Sequence, residues 1–358
     1  MNSEEIVRRR MHHQRLWGPP MDSPEDVVGW LAAMQSQEFA LAEWAVAQRA
    51  RSFKKAAVDH AVANGTILRT HLMRPTWHFV LSADIRWLLG LTRPRINALN
   101  AFMYRRLGLD DAVFARTNAV IAGALDGGRH LTRRELASAL DIAGIRATGL
   151  HLGYILMRAE LDAIVCSGAP KGKQQTYALL EDRVPPARRL DRSEALAELT
   201  RRYFASRGPA TLKDYLRWSS LTAADGQQGL EMVGSYLQRE VVDGRIYWFP
   251  PSDPGPMPPS PTVDLVQGYD ECIMSYSESK DVLRHQGMAP TAMGAAVFTH
   301  AILLDGRLIG HWRPVATKGG AAIDTHLYRP LRASEKVALE AAADRYGRFA
   351  GLPVSLKT

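Results

Sequence analysis

The 358-residue chain has few of the residues that organise metal clusters or disulfide frameworks. Only two cysteines occur, Cys166 and Cys272, far apart and in no CxxC pair. Iron–sulfur chemistry and a disulfide scaffold are thereby excluded, and a structural zinc is disfavoured. Both read as buried small apolar residues. Long hydrophobic runs are also lacking, and none approaches the roughly 20 residues that span a bilayer. The opening MNSEEIVRRRMHHQRLWGPP has basic residues with no apolar stretch behind them, so it does not read as a secretory signal. A cytoplasmic, nucleoid-associated protein with no membrane partner is expected. Lysine is scarce too: nine of the 45 cationic residues are lysine and 36 are arginine.

Net charge is +8 and the calculated pI about 9.6, an excess that suits a polyanionic partner. Arginine's planar fork fits phosphates and base edges, although a GC-rich genome produces the same bias. The pairs Arg105-Arg106, Arg133-Arg134, Arg188-Arg189 and Arg201-Arg202 are scattered, as on a surface that tracks a nucleic-acid backbone or on solvated helix faces.

Three stretches repeat an order of short helices followed by an extended pair. In the first, Ser23 caps a helix opened by Pro24, with Val27, Val28, Leu31 and Met34 on one stripe. A second helix is predicted over ALAEWAVAQRA and a third over SFKKAAVDHAVANG, capped by Ser52 and stopped at Asn64-Gly65. ILRTHLM and TWHFVL then read as strands joined through Arg74-Pro75. The second stretch carries a capping box, Thr132 to Glu135. The third places Thr211 as a cap, Trp218 in the core and a hairpin at Asp243-Gly244. SDPGPMPPSP reads as a linker. Beyond it lie a hairpin around Asp305-Gly306 and a helix capped by Ser334.

The fold class predicted is α+β, helix-dominated, with tandem winged-helix (helix-turn-helix) units forming a C-shaped DNA-binding platform and a C-terminal β-rich subdomain. The boundaries are 1–106, 107–187, 188–258 and 259–358, the first holding the candidate catalytic motif. A recognition helix fits the major groove, and arginines of a wing reach the adjacent backbone. Winged helices also serve as protein-interaction modules.

The segment MQSQEFALAEW is the least ordinary. Gln35 and Gln37 lie two apart, and in a regular helix such positions point about 200° apart. They converge only where the chain leaves helical geometry; otherwise they are polar residues at a helix end. MQSQEFALAEWAVAQR, RTHLMRPTWHFV, GPATLKDYLRWSSL, GYDECIMSYSESKD and DGRLIGHWRP, in this order, resemble the AlkZ and YcaQ group of bacterial winged-helix DNA glycosylases across nearly the whole chain. The resemblance implies a C-shaped fold and excision of N7- and N3-alkylated purines, in some members as self-defence of antibiotic producers. It also implies a Gln-x-Gln signature, matched by Gln35-Ser36-Gln37, with Ser36 in place of the usual aliphatic residue.

Such a site makes chemical sense. N7 alkylation leaves the purine cationic and already a good leaving group, so two neutral amides that place a water at C1′ suffice. A glutamine carbonyl accepts a hydrogen bond but cannot take a full proton. The expected enzyme is a monofunctional DNA glycosylase, a monomer acting on double-stranded DNA, with no cofactor and no metal. The alternative is a non-catalytic winged-helix DNA-binding regulator.

The resemblance also implies that the segment with Arg74, Thr76 and His78 lines the cleft, His78 contacting phosphate or orienting a glutamine; a histidine merely satisfied on a half-buried strand is the competing reading. Trp77 reads as core. Lys54, Lys55, Arg307 and Arg313 are candidate DNA contacts, although Arg307 and Arg313 can equally belong to a solvated hairpin. In GYDE, Asp270 reads as structural, with a place facing the cleft as the competing reading. Gln267 stands where the family often has proline, and Lys280 where it has arginine.

Overall fold

A computed structural model describes residues 1–186, 189–285 and 299–357. Arg188 therefore lies outside the described residues. No described helix is long and apolar enough to cross a membrane.

The fold is α+β and helix-rich. Helix α1 (Ser3–His13) starts where Asn2 accepts the Glu5 N–H. Helix α2 (Pro24–Leu31) has the expected Ser23 cap, closed reciprocally by Asp26. It is shorter than its apolar stripe suggests. Ala32 adopts φ +59°, which ends the helix, and Met34 belongs instead to strand β1 (Met34–Gln35). Helices α3 (Phe39–Ala47) and α4 (Lys55–Asn64) follow. Lys54, not Ser52, occupies the α4 cap position, without a side-chain cap bond; Gly65 at φ +88° ends the helix as expected. Strands β2 (Ile67–Leu72) and β3 (Thr76–Leu81) pair antiparallel, with His71 opposite Trp77, and β1 adds on the far side of β3.

Helix α5 (Ile85–Arg106) runs 22 residues through Pro94. The central part of the chain then forms α6 (Asp111–Leu125), β4 (Leu131–Thr132), α7 (Arg133–Ile142), α8 (Gly149–Leu161), β5 (Val165–Ser167), β6 (Thr176–Leu179) and α9 (Leu180–Arg183). The Thr132–Glu135 capping box is present. Next come α10 (Arg192–Arg207), α11 (Leu212–Ser219), α12 (Ala223–Val233) and the β7 (Gln238–Val242)–β8 (Arg245–Phe249) hairpin. Asp243 and Gly244 both have positive φ, the geometry of a tight two-residue hairpin turn. Thr211 caps α11 with Asp214, and Trp218 is fully buried.

The C-terminal part is a five-stranded sheet in the order β13-β12-β11-β10-β9, built from β9 (Val263–Val266), β10 (His300–Leu304), β11 (Arg307–Thr317), β12 (Gly320–Leu327) and β13 (Val354–Lys357). Only β13 joins parallel among the described strands. It can do so because α14 (Ala333–Ala350) carries the chain back across the sheet. Arg332 stands at the α14 cap position, with Glu335 accepting its N–H, so the expected Ser334 lies inside the first turn.

Side chains of β10 alternate between two cores, as a strand's two-residue period requires. Ala301 and Leu303 face α1 with Ile6, Val7 and Met11. Ile302 and Leu304 face Leu339 and Phe349 of α14 and Trp44 of α3. The helices that precede the first ribbon are thus welded to the C-terminal sheet. The 252–261 linker is held against α1, whose Arg8, Arg9 and His12 side chains bond the carbonyls of Gly255, Ser252 and Pro256. A short helix, α13 (Glu271–Met274), leads from β9 back beneath the first ribbon.

Candidate active site

The Gln35-Ser36-Gln37 run leaves helical geometry, the condition that two glutamines at this spacing need. Met34 pairs with Phe79 and Gln35 with His78, and the ladder continues one step as Ser36 N–H donates to the Trp77 carbonyl at 2.8 Å. β1 itself ends at Gln35, and Gln37 lies in the bend that follows.

β1 is an edge strand, and its outer edge is satisfied by side chains. Arg207 Nη2 donates to the Ala33 carbonyl at 2.9 Å. Gln35 N–H donates to Glu271 Oε1 at 2.9 Å, and Gln267 Nε2 reaches the Gln35 carbonyl at 3.4 Å. Buried polar groups demand such partners. Beyond the strand, Arg69 donates to the Ser36 carbonyl at 2.8 and 3.1 Å, with its guanidinium over the Trp77 ring.

The two carboxamides differ in setting. Gln35 is 3% exposed, and its Oε1 accepts from Arg74 Nη2 at 3.0 Å. Gln37 is exposed, and its Oε1 accepts a long bond, 3.4 Å, from Trp77 N–H. Arg74 is anchored in turn on the Trp218 carbonyl at 3.0 Å, which ties the β2–β3 turn to the end of α11. Burial lowers its pKa.

Glu271 is the hub beneath. Its Oε2 accepts from Arg207 Nη2 and Trp218 Nε1, both at 2.8 Å, and from Ser275 Oγ at 3.0 Å. Burial opposes its charge, but Arg207 and the Gln35 N–H prevail and hold the carboxyl down at about 2.

His78 is fully buried, with Nδ1 donating to the Thr76 carbonyl at 2.9 Å and Nε2 without a partner among the described residues. Burial, reinforced by Arg74, lowers its pKa to about 3, so the ring is neutral. A phosphate contact by His78 is therefore corrected: the side chain is out of solvent and uncharged. Thr76 contributes its carbonyl, while its hydroxyl points to the Arg74 carbonyl at 3.5 Å. Trp77 is only partly buried. It packs on the central helical core with the His71 ring tilted 40° against it, centroids 3.9 Å apart, and His71 bonds the buried Glu160 of α8.

The four candidate DNA contacts separate. Lys54 is exposed at the α4 cap. Lys55 Nζ sits between Glu43, at 3.0 Å, and Asp59, at 2.5 Å. Arg307 is tied to the carbonyls of Val282 and Arg284 and to Ser3 Oγ, which corrects its assignment: it staples the hairpin base to the N-terminal helix. Arg313 pairs with Asp324 on the neighbouring strand and stays exposed.

Asp270 is structural, as read. It caps α13 and forms a buried ion pair with Arg49 at 2.7 and 3.0 Å. Its neighbour Glu271 was not a candidate, and neither were Arg207, Arg69 and Gln267. GYDE pointed to the right turn, but nothing in spacing says which acid faces the motif. Arg207, the last residue of α10, carries no pattern at all.

A family model described as DNA glycosylase AlkZ-like matches residues 28–349. The interstrand DNA cross-link repair glycosylase of Streptomyces sahachiroi is 25% identical over 326 residues, 87% of each chain. The solved structure of the Streptomyces sahachiroi DNA glycosylase AlkZ superposes with a TM-score of 0.82 at 22% identity, over the whole of both chains.

Proposed function

The chain belongs to the AlkZ-like DNA glycosylase family, an enzyme class that hydrolyses N-glycosyl bonds, and from that premise we propose that it excises cationic alkylated purines from duplex DNA. The substrates are N7-alkylguanines, including bulky adducts and crosslinks, in keeping with the interstrand cross-link repair named for its Streptomyces relative. Three winged-helix units (1–106, 107–187 and 188–258) and the β-rich subdomain (259–358) form a C-shaped platform for the duplex. Repeated helix-then-ribbon order supports this division. The protein works as an intracellular monomer.

One observation carries the reading: the Gln35-Ser36-Gln37 run leaves the sheet edge at Gln35 for a bend at Gln37, with the Gln37 carboxamide open to solvent and that of Gln35 braced from behind. The C1′–N bond breaks with its electron pair passing to the purine, which cancels the positive charge created by alkylation. Water adds to C1′, and its surplus proton leaves to solvent. Gln37 offers a carbonyl lone pair to that water, since an amide oxygen has two and the Trp77 N–H takes one. Neutral amides do not activate an undamaged purine, so selectivity follows from the leaving group. The reaction stops at the abasic site, because opening the sugar wants a free amine at C1′ and Lys55 is held between carboxylates.

The test is incubation with N7-methylguanine duplex followed by alkali. Strand breaks are expected with the native protein and are lost with Gln37→Ala. No breaks on this substrate or on bulkier N7 adducts, with duplex binding intact, would instead make it a DNA-binding regulator.

A further inference from the structure

The two glutamines are chemically alike, but their surroundings give them opposite polarity. Arginine has only donors, so the end of the Gln35 carboxamide that lies 3.0 Å from Arg74 Nη2 is necessarily the oxygen. The assignment does not depend on telling amide N from O. The bond is charge-assisted and partly buried, and such bonds are about twice as strong as neutral ones. The other nitrogen of the fork is fixed on the Trp218 carbonyl at 3.0 Å, so Arg74 cannot follow if the amide turns over.

The amino end of Gln35 is what remains. Among the described residues Gln35 Nε2 has no hydrogen-bond partner, yet it is not one of the sealed unpartnered atoms, so it keeps contact with solvent. The backbone that carries it is equally constrained. Its N–H is bound by Glu271 and its carbonyl by Gln267. At Gln37 the hold is lighter: its carbonyl accepts only a long bond, 3.3 Å, from Arg69 Nη2. Its side-chain oxygen bonds a neutral N–H at 3.4 Å, and the side chain is exposed.

We propose that Arg74 is a positioning residue that turns Gln35 into a hydrogen-bond donor toward the substrate, leaving Gln37 alone as the acceptor that places the water. This rests on the reading of the Gln-x-Gln run as the catalytic site. The recipient is an acceptor atom of the DNA. A ring nitrogen or carbonyl of the departing purine gains electron density as the bond to C1′ breaks, and a donor there strengthens toward the transition state. A phosphate oxygen would be held equally in ground and transition states.

The deciding variant is Gln35→Glu, which keeps shape and the Arg74 contact, now as an ion pair, but removes the donor. Single-turnover excision of N7-methylguanine should fall about 100-fold or more, the scale of losing one oriented donor, with Tm equal to or above that of the native protein. Unchanged affinity for an intact duplex with that loss assigns the donor to the purine. Weakened affinity in parallel assigns it to a phosphate, and both outcomes support the donor role. Native excision by Gln35→Glu overturns the inference while leaving the site reading intact, provided Gln35→Ala and Gln37→Ala are impaired. If both alanine variants excise normally, the site reading fails and the inference with it. Should Gln35→Glu not fold, Arg74→Met and Arg74→Lys decide. Excision is expected to drop about tenfold for Met, from misplacement of the amide, with Lys between it and the native protein and duplex affinity kept by both. Equal rates for all three overturn the proposal.

Discussion

Asp270 and Glu271 are consecutive residues, both buried, and each faces a buried arginine, yet they hold different parts of the molecule. Asp270 binds Arg49, whose guanidinium also caps the Gln14 and Ala45 carbonyls, so this pair locks α3 and the N-terminal segment to the sheet. Glu271 binds Arg207 and spends its other oxygen on the Gln35 backbone N–H. The same chemistry thus serves packing in one case and the position of a candidate catalytic side chain in the other. What separates them is the direction in which a single turn, α13, projects successive side chains.

Breaking either pair strands a buried cation, and removal of one partner of such a pair costs roughly 3–5 kcal/mol. Asp270→Asn and Glu271→Gln are both expected to lose stability on that scale in urea unfolding. Only Glu271→Gln should also lose excision per folded molecule, by about tenfold, since Gln35 then loses its charged anchor. Equal specific activity in the two variants would erase the distinction.

Acid sharpens the comparison. The folded Glu271 carboxyl is held at about 2 against an ordinary value near 4.5. Its stabilisation is present above pH about 4.5 and is lost as pH falls toward 2. The stability gap between the native protein and Glu271→Gln should therefore be flat near neutrality and close across that acid window. His78 acts in a different window. With the folded ring at about 3 and the unfolded ring near 6.5, the unfolded chain binds the extra proton between those values. Stability drains as pH falls from about 6.5 to 3, and His78→Gln should flatten that slope in denaturant titrations.

A smaller effect is expected at the motif itself. Gln37→Asp exchanges a weak acceptor for a stronger base and should speed N7-methylguanine release about tenfold. No gain in single-turnover rate would mean that Gln37 does not touch the water. The smallest effects distinguish the candidate DNA contacts. Lys54→Ala should reduce the slope of log K against log salt for duplex binding by about one, with Tm unchanged. Arg307→Ala should cost about 1 kcal/mol of stability and leave that slope alone.

Much of the fold was legible because its signals are local. Ser23, Thr132 and Thr211 cap helices as expected, Thr132 through its spacing to Glu135, and Asp243-Gly244 and Asp305-Gly306 turn hairpins. The failures are equally instructive. Met34 continued a helical stripe on paper, yet Ala32 breaks the helix because the edge of β3 offers the chain a ladder. Ser334 is an attractive cap in the sequence, but Glu335 and the arginines around it put the cap two residues earlier, at Arg332.

By itself, the sequence determined the helix-rich α+β class, the order of helices and ribbons, and the family through Gln35-Ser36-Gln37 and the phrases around it. Capping, turn chemistry and periodicity act over a few residues and need no partner from afar. Tertiary structure alone decided that Gln35 is buried and Gln37 open, that Arg74 grips the first, and that Glu271 rather than Asp270 lies beneath it. Those outcomes depend on which buried donors and acceptors meet across separations of 39 and 236 residues, and the cost of leaving any of them unpaired is paid only once the chain has closed around them.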